Sequence, residues 1–199
     1  MQKHDPRHEP RSSARTLVLV RHGQTAWNKD IRFRGTTDLS LSEVGLAQAQ
    51  RVADWLRDEP IQAIYSSPLT RALQTAQPLA VALRLPIQIR RGLISVDYGE
   101  WQGLTRQEVS ERWPDLYRTW QQSPQLVTFP GGESLQIALN RGVEMLDELS
   151  EKHPDQTVAL FSHEIVTKTL MGHMLGLDNS AHWRIPQDNG CINAFLYSP

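Results

Sequence analysis

Two places in the 199-residue chain set a histidine directly after a short apolar run: "LVLV" leads into Arg21-His22-Gly23, and "VALF" leads into Ser162-His163-Glu164. A third run, "IYSS", passes through Pro68 to Arg71 one helical turn later. Together Arg21, Arg71, His22, His163 and the Asn28 amide offer many hydrogen-bond donors and almost no acceptors. That set is the complement of a phosphate dianion. A neutral imidazole within it can attack phosphorus while the flanking cations spread the equatorial charge and an acid protonates the leaving oxygen. No Gly-x-x-x-x-Gly-Lys or Gly-x-Gly-x-x-Gly cradle occurs, and no metal box of clustered Cys, His and Asp. The expectation is metal-free phosphoryl transfer without a cofactor, on a small phosphorylated metabolite.

Such residues act only if rigid elements aim them at one point. Leu17 to Val20 is short and unalternating, which suits a central strand covered on both faces and ending in Arg21-His22. "IQAIYSS" and "TVALFS" read as further strands, Pro86 to Ile89 as a weaker one, and "CINAFLY" as the last. Ser42 is placed to cap a helix carrying Val44, Ala49, Val52, Ala53 and Leu56 on its inner face until Pro60. Pro68 is expected in the first turn of the next helix, where Leu69, Ala72, Leu73 and Ala76 face the core and Pro78 predicts a kink or break. Ser134 opens a long amphipathic helix through Leu135, Leu139, Val143, Leu146 and Leu149, and "HEIVTKTLMGHMLGL" continues as a helix ending near Gly176. Gly92 to Gly132 is rich in Trp, Gly and Pro, with short helical patterns at Arg106 to Trp113 and Asp115 to Gln121.

Strands alternating with helices imply an α/β three-layer sandwich with a mostly parallel central sheet and a small helical insertion, about 92–132, over its C-terminal edge. In that architecture the ligand lies beyond the carboxyl ends of the strands. Residues 1–15 read as a disordered tail before a single domain at 16–199. His4 and His8 are set aside as metal ligands because Pro6 interrupts any shared helical face. A formal charge of -1 gives no global basic excess for nucleic acid or a membrane surface. Lone Cys191 forbids an intramolecular disulfide, and "MQKHDPRHEPRSSAR" offers no apolar signal core or span, so the cytoplasm is the expected compartment.

Other conspicuous residues have plainer readings. His173 is expected to pack within its helix, and His153 and His182 to lie on the surface. Trp27, Trp55 and Trp183 fall in segments expected to be packed, while Trp101, Trp113 and Trp120 are expected to build a small core inside the insertion, the alternative being that they wall the pocket. Glu133 is read as a cap shared with Ser134, the alternative being that it orients a nearby loop.

The ordered stretches "LVLVRHGQTAWN", "FRGTTDLSLSEVGLAQA", "IYSSPLTRALQTA", "DYGEWQGLT", "PGGES" and "ALFSH" resemble the histidine phosphatase superfamily, in its cofactor-independent branch similar to phosphoglycerate mutases. The resemblance covers nearly the whole chain from Leu17 onward. It implies that His22 becomes the phosphohistidine and that Arg21, Arg71 and His163 bind the transferred group, with Asn28 assisting. Arg34 and Gly35 stand where the family's first loop approaches the rest of the substrate.

The resemblance breaks at one position. The family's proton-donating glutamate usually stands four residues before the glycine of "YGEWQG", and this chain has Ser95 there. A serine hydroxyl is a poor general acid. Glu164, Asp97 and Glu100 are the carboxyl groups close in sequence to the motifs. Glu164 ranks first, because a group adjacent to His163 lies near the phosphate wherever His163 does, and a distant branch of the superfamily keeps its acid there. Burial would raise its pKa toward a useful donor value unless neighbouring arginines cancel the shift. The alternative is an acidic first-turn residue favoured by the helix dipole.

The leading expectation is a phosphatase with a covalent phosphohistidine. The alternatives are a phosphoglycerate mutase and a phosphate-binding regulator whose catalysis has decayed. Phosphoserine, a phosphoglycerate, a sugar phosphate and a nucleotide-derived ester all stay open as substrates, as does the oligomeric state.

Overall fold

The computed structural model describes residues 15–29 and 32–197. Five strands form one sheet: β1 (Arg15–Arg21), β2 (Ile61–Ser66), β3 (Ile87–Ile89), β4 (Thr157–Ser162) and β5 (Ile192–Tyr197), in the order β3-β2-β4-β1-β5. Neighbours run parallel except β5, which pairs antiparallel with β1. Successive side chains leave a strand on opposite faces. Leu17 and Leu19 therefore join Val158 and Leu160 in one core, while Val18 and Val20 join Ala159 and Phe161 in the other. Both faces are covered, which is why "LVLV" and "VALF" show no polar alternation.

The α-helices among the described residues are α1 (Ala26–Lys29), α2 (Glu43–Leu56), α3 (Thr70–Leu83), α4 (Arg106–Arg112), α5 (Pro114–Gln122), α6 (Leu135–Lys152) and α7 (Glu164–Met174). α2 and α3 supply Val52, Leu56, Ala76 and Leu79 to the Val18 face, and α6 and α7 supply Leu146, Leu149, Val166 and Leu170 to the Leu17 face. Three layers result. Ser42 and Ser134 cap α2 and α6 by accepting from the amides of Gly45 and Ile137, both at 3.2 Å. Residues 92–132 hold α4, α5 and short 3-10 turns. Their apolar side chains form a third cluster, with Trp101 fully buried among Phe33, Trp113, Tyr117 and Phe129. The cluster rests on Leu135 and Ala138 of α6 and Ile165 of α7. The wall of the cavity is thereby fixed to the helix that follows His163.

Several expectations are corrected. α3 begins at Thr70 rather than at Pro68, because the Asp38 carboxylate reaches across from another loop and accepts from the Thr70 amide and hydroxyl, each at 2.7 Å. Pro78 does not end it: α3 continues to Leu83, and burial of Leu79 and Ala80 outweighs a penalty of about 3 kcal/mol for an interior proline. Val44 and Trp55 are exposed, Trp55 to 77%, so the inner face of α2 is narrower than its apolar residues suggest. His173 is exposed in the last turn of α7, not packed. His153 is buried rather than on the surface, its ring nitrogens bonded to the Tyr65 hydroxyl (2.8 Å) and Gln156 Oε1 (2.6 Å). Arg15 belongs to β1; the rest of the expected tail, with His4 and His8, lies outside the described residues.

Candidate active site

β1 and β4 end side by side with Arg21 opposite Ser162, and the next residue of each chain is a histidine. The His22 amide donates to the Ser162 carbonyl at 3.0 Å, and the two imidazoles follow with ring centroids 5.2 Å apart. Both rings are buried. Gly23 then passes so close to the first turn of α2 that a Cβ would meet the Gly45 carbonyl at 2.6 Å. Its amide donates to Thr75 Oγ1 on α3 at 3.0 Å. The turn after His22 is clamped between two helices.

Hydrogen bonds fix the state of each ring. His22 Nδ1 lies 2.6 Å from the Gly23 carbonyl, which can only accept, so Nδ1 carries the proton and Nε2 holds the lone pair. Arg71 Nε donates to His163 Nδ1 at 3.2 Å, so His163 keeps its proton on Nε2 and donates it to Ser67 Oγ at 2.7 Å. Burial, then the charges of Arg71 and other neighbours, push both imidazoles well below the usual histidine pKa. Both are neutral at physiological pH.

The arginines are placed by backbone carbonyls. Arg71 is fully buried and gives Nη1 to the Thr37 carbonyl and Nη2 to the Gly35 carbonyl, both at 2.7 Å. Burial and the Arg34 charge lower its pKa to about 10, which leaves it cationic. Gly35 adopts φ of 52°, and a Cβ there would overlap Gln102 Oε1 at 2.1 Å. Gln102 in turn accepts from the Thr36 amide at 2.6 Å and so ties this loop to the insertion. Arg21 donates Nη1 to the Gln187 carbonyl and pairs through Nη2 with Glu164 Oε2 at 2.9 Å. Its Nε is buried without a partner among the described residues.

These groups open into one cavity of about 670 Å³. Arg21, His22, Asn28, Arg34, Gly35 and Arg71 line it, and so do His163 and Glu164. Asn28 turns its Oδ1 to the Thr25 amide at 2.8 Å, which leaves the amide NH2 as its donor end. The fold thus collects residues from across the chain. Asp97 and Glu100 are not brought in. Asp97 spends Oδ1 on the Gly99 amide at 2.8 Å, and Glu100 is exposed; neither lines the cavity. Ser95 does line it, in the slot that the resemblance reserves for a carboxyl group.

Glu164 opens α7 directly after His163 and is gripped from two sides, by Arg21 and, at 3.0 Å, by Lys168 Nζ one turn along the helix. Burial pushes its pKa up, but Arg21, Lys168 and Arg34 outweigh that and hold it below the usual carboxylate range. The neighbouring cations cancel the expected rise. In the free protein Glu164 is ionised.

Some contributors went unread in the sequence. Lys168 stands at i+4 from Glu164, a spacing visible in "HEIVTK". Asn189, whose side-chain amide donates to the His22 carbonyl at 3.0 Å, and Gln187 carry no such signal, because their partners lie far away in the chain. His182 is buried rather than on the surface, tilted against Trp120 and edge-on to Trp183, and burial and Lys168 lower its pKa to about 3. Trp183 packs against Trp120 and His182 as expected, and its remaining surface, 45% exposed, forms part of the cavity rim. Glu133 does not cap α6. It bridges Arg141 at 3.1 Å and accepts from the Asp97 amide at 3.0 Å, so it orients the loop that carries Ser95.

A mostly parallel sheet presents a neutral histidine pair and several arginines to one cavity, an arrangement suited to phosphoryl transfer. The chain belongs to the histidine phosphatase superfamily (branch 1), which residues 17–199 match, and is a phosphatase of that family. It is 39% identical over 178 residues to Phosphoserine phosphatase 1 of Hydrogenobacter thermophilus, covering 89% of this chain and 82% of that protein. It is 36% identical over 179 residues to the Bifunctional protein Rv2228c of Mycobacterium tuberculosis, of whose length it spans about half (49%). Among solved structures, the mycobacterial glucosyl-3-phosphoglycerate phosphatase Rv2419c superposes with a TM-score of 0.84 at 29% identity, covering 91% of this chain and 89% of the other. No helix among the described residues is long and apolar enough to cross a membrane.

Proposed function

We propose that this phosphatase hydrolyses small phosphomonoesters through a phosphohistidine on His22, with Glu164 as the proton donor. The observation that carries the reading is the bond from His22 Nδ1 to the Gly23 carbonyl. It fixes Nε2 as the nucleophilic nitrogen of a ring that burial keeps neutral. As Nε2 bonds to phosphorus and the ester P–O bond breaks, the positive charge that develops on the ring is stabilised through Nδ1–H by that carbonyl. Arg21 and Arg71 hold the equatorial oxygens, with the Asn28 amide as a neutral donor, while His163 accepts from Arg71 and fixes its guanidinium.

The leaving alkoxide takes a proton from Glu164, the one carboxyl group among the described residues that lines the cavity. Glu164 is ionised while the cavity is empty of anions. A phosphoryl dianion beside Arg21 offsets the cations that depress its pKa and adds a negative charge nearby, and both effects favour its protonated form. In the second half, Glu164 accepts a proton from water as that oxygen attacks phosphorus. The P–N bond breaks, releasing inorganic phosphate and neutral His22. Phosphoserine and glucosyl-3-phosphoglycerate, the substrates named for relatives, are both phosphomonoesters and define the first compounds to assay.

Rapid quenching after mixing with a ³²P-labelled aryl phosphate, in the presence of EDTA, is expected to trap an acid-labile, alkali-stable phosphoenzyme that His22→Ala lacks. An acid-stable phosphoenzyme, or turnover that survives His22→Ala, would overturn the assignment.

A further inference from the structure

One buried side chain that does not line the cavity makes every hydrogen bond open to it. Gln187 is 7% exposed, and its amide nitrogen donates to Asn193 Oδ1 at 3.1 Å and to Met171 Sδ at 3.0 Å. Its amide oxygen accepts from Asn193 Nδ2 at 3.0 Å and from the Cys191 thiol at 2.7 Å. Two donors and two acceptor positions are the whole complement of a carboxamide. The partners come from three places: Met171 from α7, Asn193 from β5, and Cys191 from the turn that leads into β5. A buried amide left unsatisfied is costly, so the four bonds fix where this residue can sit.

The residue so fixed is an anchor of the Arg21 guanidinium. The Gln187 carbonyl accepts from Nη1, and Glu164 holds Nη2. The rest of the turn grips the main chain. The Gly190 amide donates to the Arg21 carbonyl at 3.1 Å, the Arg21 amide donates to the Cys191 carbonyl at 3.2 Å, and Asn189 holds the His22 carbonyl. Main-chain bonds place the Arg21 backbone but leave its side-chain torsions free. The guanidinium is therefore set by its own two holders. One of them changes charge during the reaction: each time Glu164 is protonated, its hold on Arg21 weakens from a charged pair to a hydrogen bond with one neutral partner. The Gln187 carbonyl stays the same throughout. Arg21 Nε, buried with no partner among the described residues, is a donor that a phosphoryl oxygen can satisfy.

We propose that Gln187 is a positioning residue: its saturated carboxamide holds the Gln187 carbonyl against Arg21 Nη1 and so keeps the guanidinium aimed at the phosphoryl group while Glu164 is neutral. Gln187 touches no reacting atom, and its effect on turnover passes through Arg21. The inference rests on the reading of Arg21 as a ligand of the phosphoryl group. If the same bonds only closed the edge of the sheet, their loss would lower stability without acting through Arg21.

A double-mutant cycle separates the two, because a residue that acts through another loses its effect when that other is removed. The substrate is p-nitrophenyl phosphate, whose leaving group needs no proton, so that the measurement reads Arg21 rather than Glu164. Gln187→Met keeps the length of the side chain and removes its amide. It is expected to lower kcat/KM by about tenfold or more, as small displacements of a positioning group do, and to weaken inhibition by inorganic phosphate. In the Arg21→Ala background the same substitution is expected to cost less than about twofold. Cys191→Ala, which removes one of the four bonds, is expected to give a smaller loss, and Cys191→Ser, whose hydroxyl still donates, to keep the parent value. Should Gln187→Met not fold, the same cycle run with Cys191→Ala decides. Parent-level kcat/KM in the folded variant, or an equal loss in both backgrounds, would overturn the inference. Failure of the underlying reading shows differently: Arg21→Ala by itself would then leave both kcat/KM and phosphate inhibition at parent levels, and the inference would fall with it.

Discussion

The floor of the cavity and the wall above it are built from opposite materials. The floor is polar and locked. His22, His163 and Arg71 are buried at the ends of β1 and β4 and the start of α3, and most of their polar atoms are already committed to a carbonyl, a hydroxyl or each other. The wall is apolar and self-supporting: Trp101, Trp120 and Phe129 pack edge to face within the insertion, and only Arg106, Tyr117, Trp120 and Gln121 from α4 and α5 turn to the cavity. A floor made of strand ends fixes the chemistry to within a rotamer. A wall made of short helices on their own core can change its lining without disturbing that chemistry, which is where substrate choice is expected to reside.

Breaking the floor separates catalysis from stability. His22→Ala is expected to lower kcat by about 10⁴-fold or more, as nucleophile deletions do. Thermal melting would show whether the fold survives; a variant that stays folded yet turns over at the parent rate contradicts the floor's role. Glu164→Gln should come next, with a loss of roughly 10²–10⁴-fold on an alkyl phosphate and far less on an aryl phosphate, whose leaving group needs no proton. Equal losses on both esters would remove Glu164 as donor. Placing Ser95→Glu in the Glu164→Gln background tests whether a carboxyl group at the neighbouring wall position can take over. Recovered turnover of the alkyl ester is the expected result.

Breaking the wall should do the reverse. Trp101→Ala removes a fully buried indole from the centre of the insertion and is expected to destabilise the protein by about 3–5 kcal/mol, read from urea unfolding. His22 phosphorylation should persist wherever the variant is folded. If instead it loses phosphoenzyme formation at full stability, the two regions are not separable as described.

Acidity acts on both regions. His22, His163 and His182 are held neutral, with pKa values depressed below the unfolded value of 6.5. The unfolded chain takes up protons that the native state refuses, so stability is full above about pH 6.5 and falls as the pH drops toward the depressed values. Chemical denaturation at pH 7.5 and pH 5 measures this. Replacing His182 by Phe should flatten part of the slope. The smallest effect expected is from Lys168→Met: removing one of the charges that depress Glu164 should move the basic limb of kcat/KM on an alkyl phosphate upward. Comparison with the parent on the same ester cancels the substrate's own ionisation.

Much of the floor is legible in one dimension because His22 and His163 directly follow the strands that aim them and Arg71 stands at the start of a helix. "LVLVRH" and "VALFSH" state both a buried strand and what stands at its end. The insertion is legible as a class of segment, since its tryptophans and prolines mark a small aromatic core, but not in its lining. His153 and His182 look solitary because Tyr65, Trp120 and Lys168 approach them from other elements. Pro78 and Val44 mislead in opposite ways. A local rule forbids a proline that burial tolerates, and a periodic apolar residue falls just outside the buried arc of its helix.

What the sequence determined by itself was local: which runs form strands, which serines begin helices, and that imidazoles and guanidinium groups follow strand ends. Protonation, charge balance and reach belonged to the tertiary structure alone. Whether Glu164 is ionised depends on Arg21 as well as on Lys168, and Asp97 is turned away from the cavity by Gly99. The reason is that desolvation and Coulomb energies depend on distances through space. Chain adjacency fixes few of those distances; the packing of one layer on another fixes the rest.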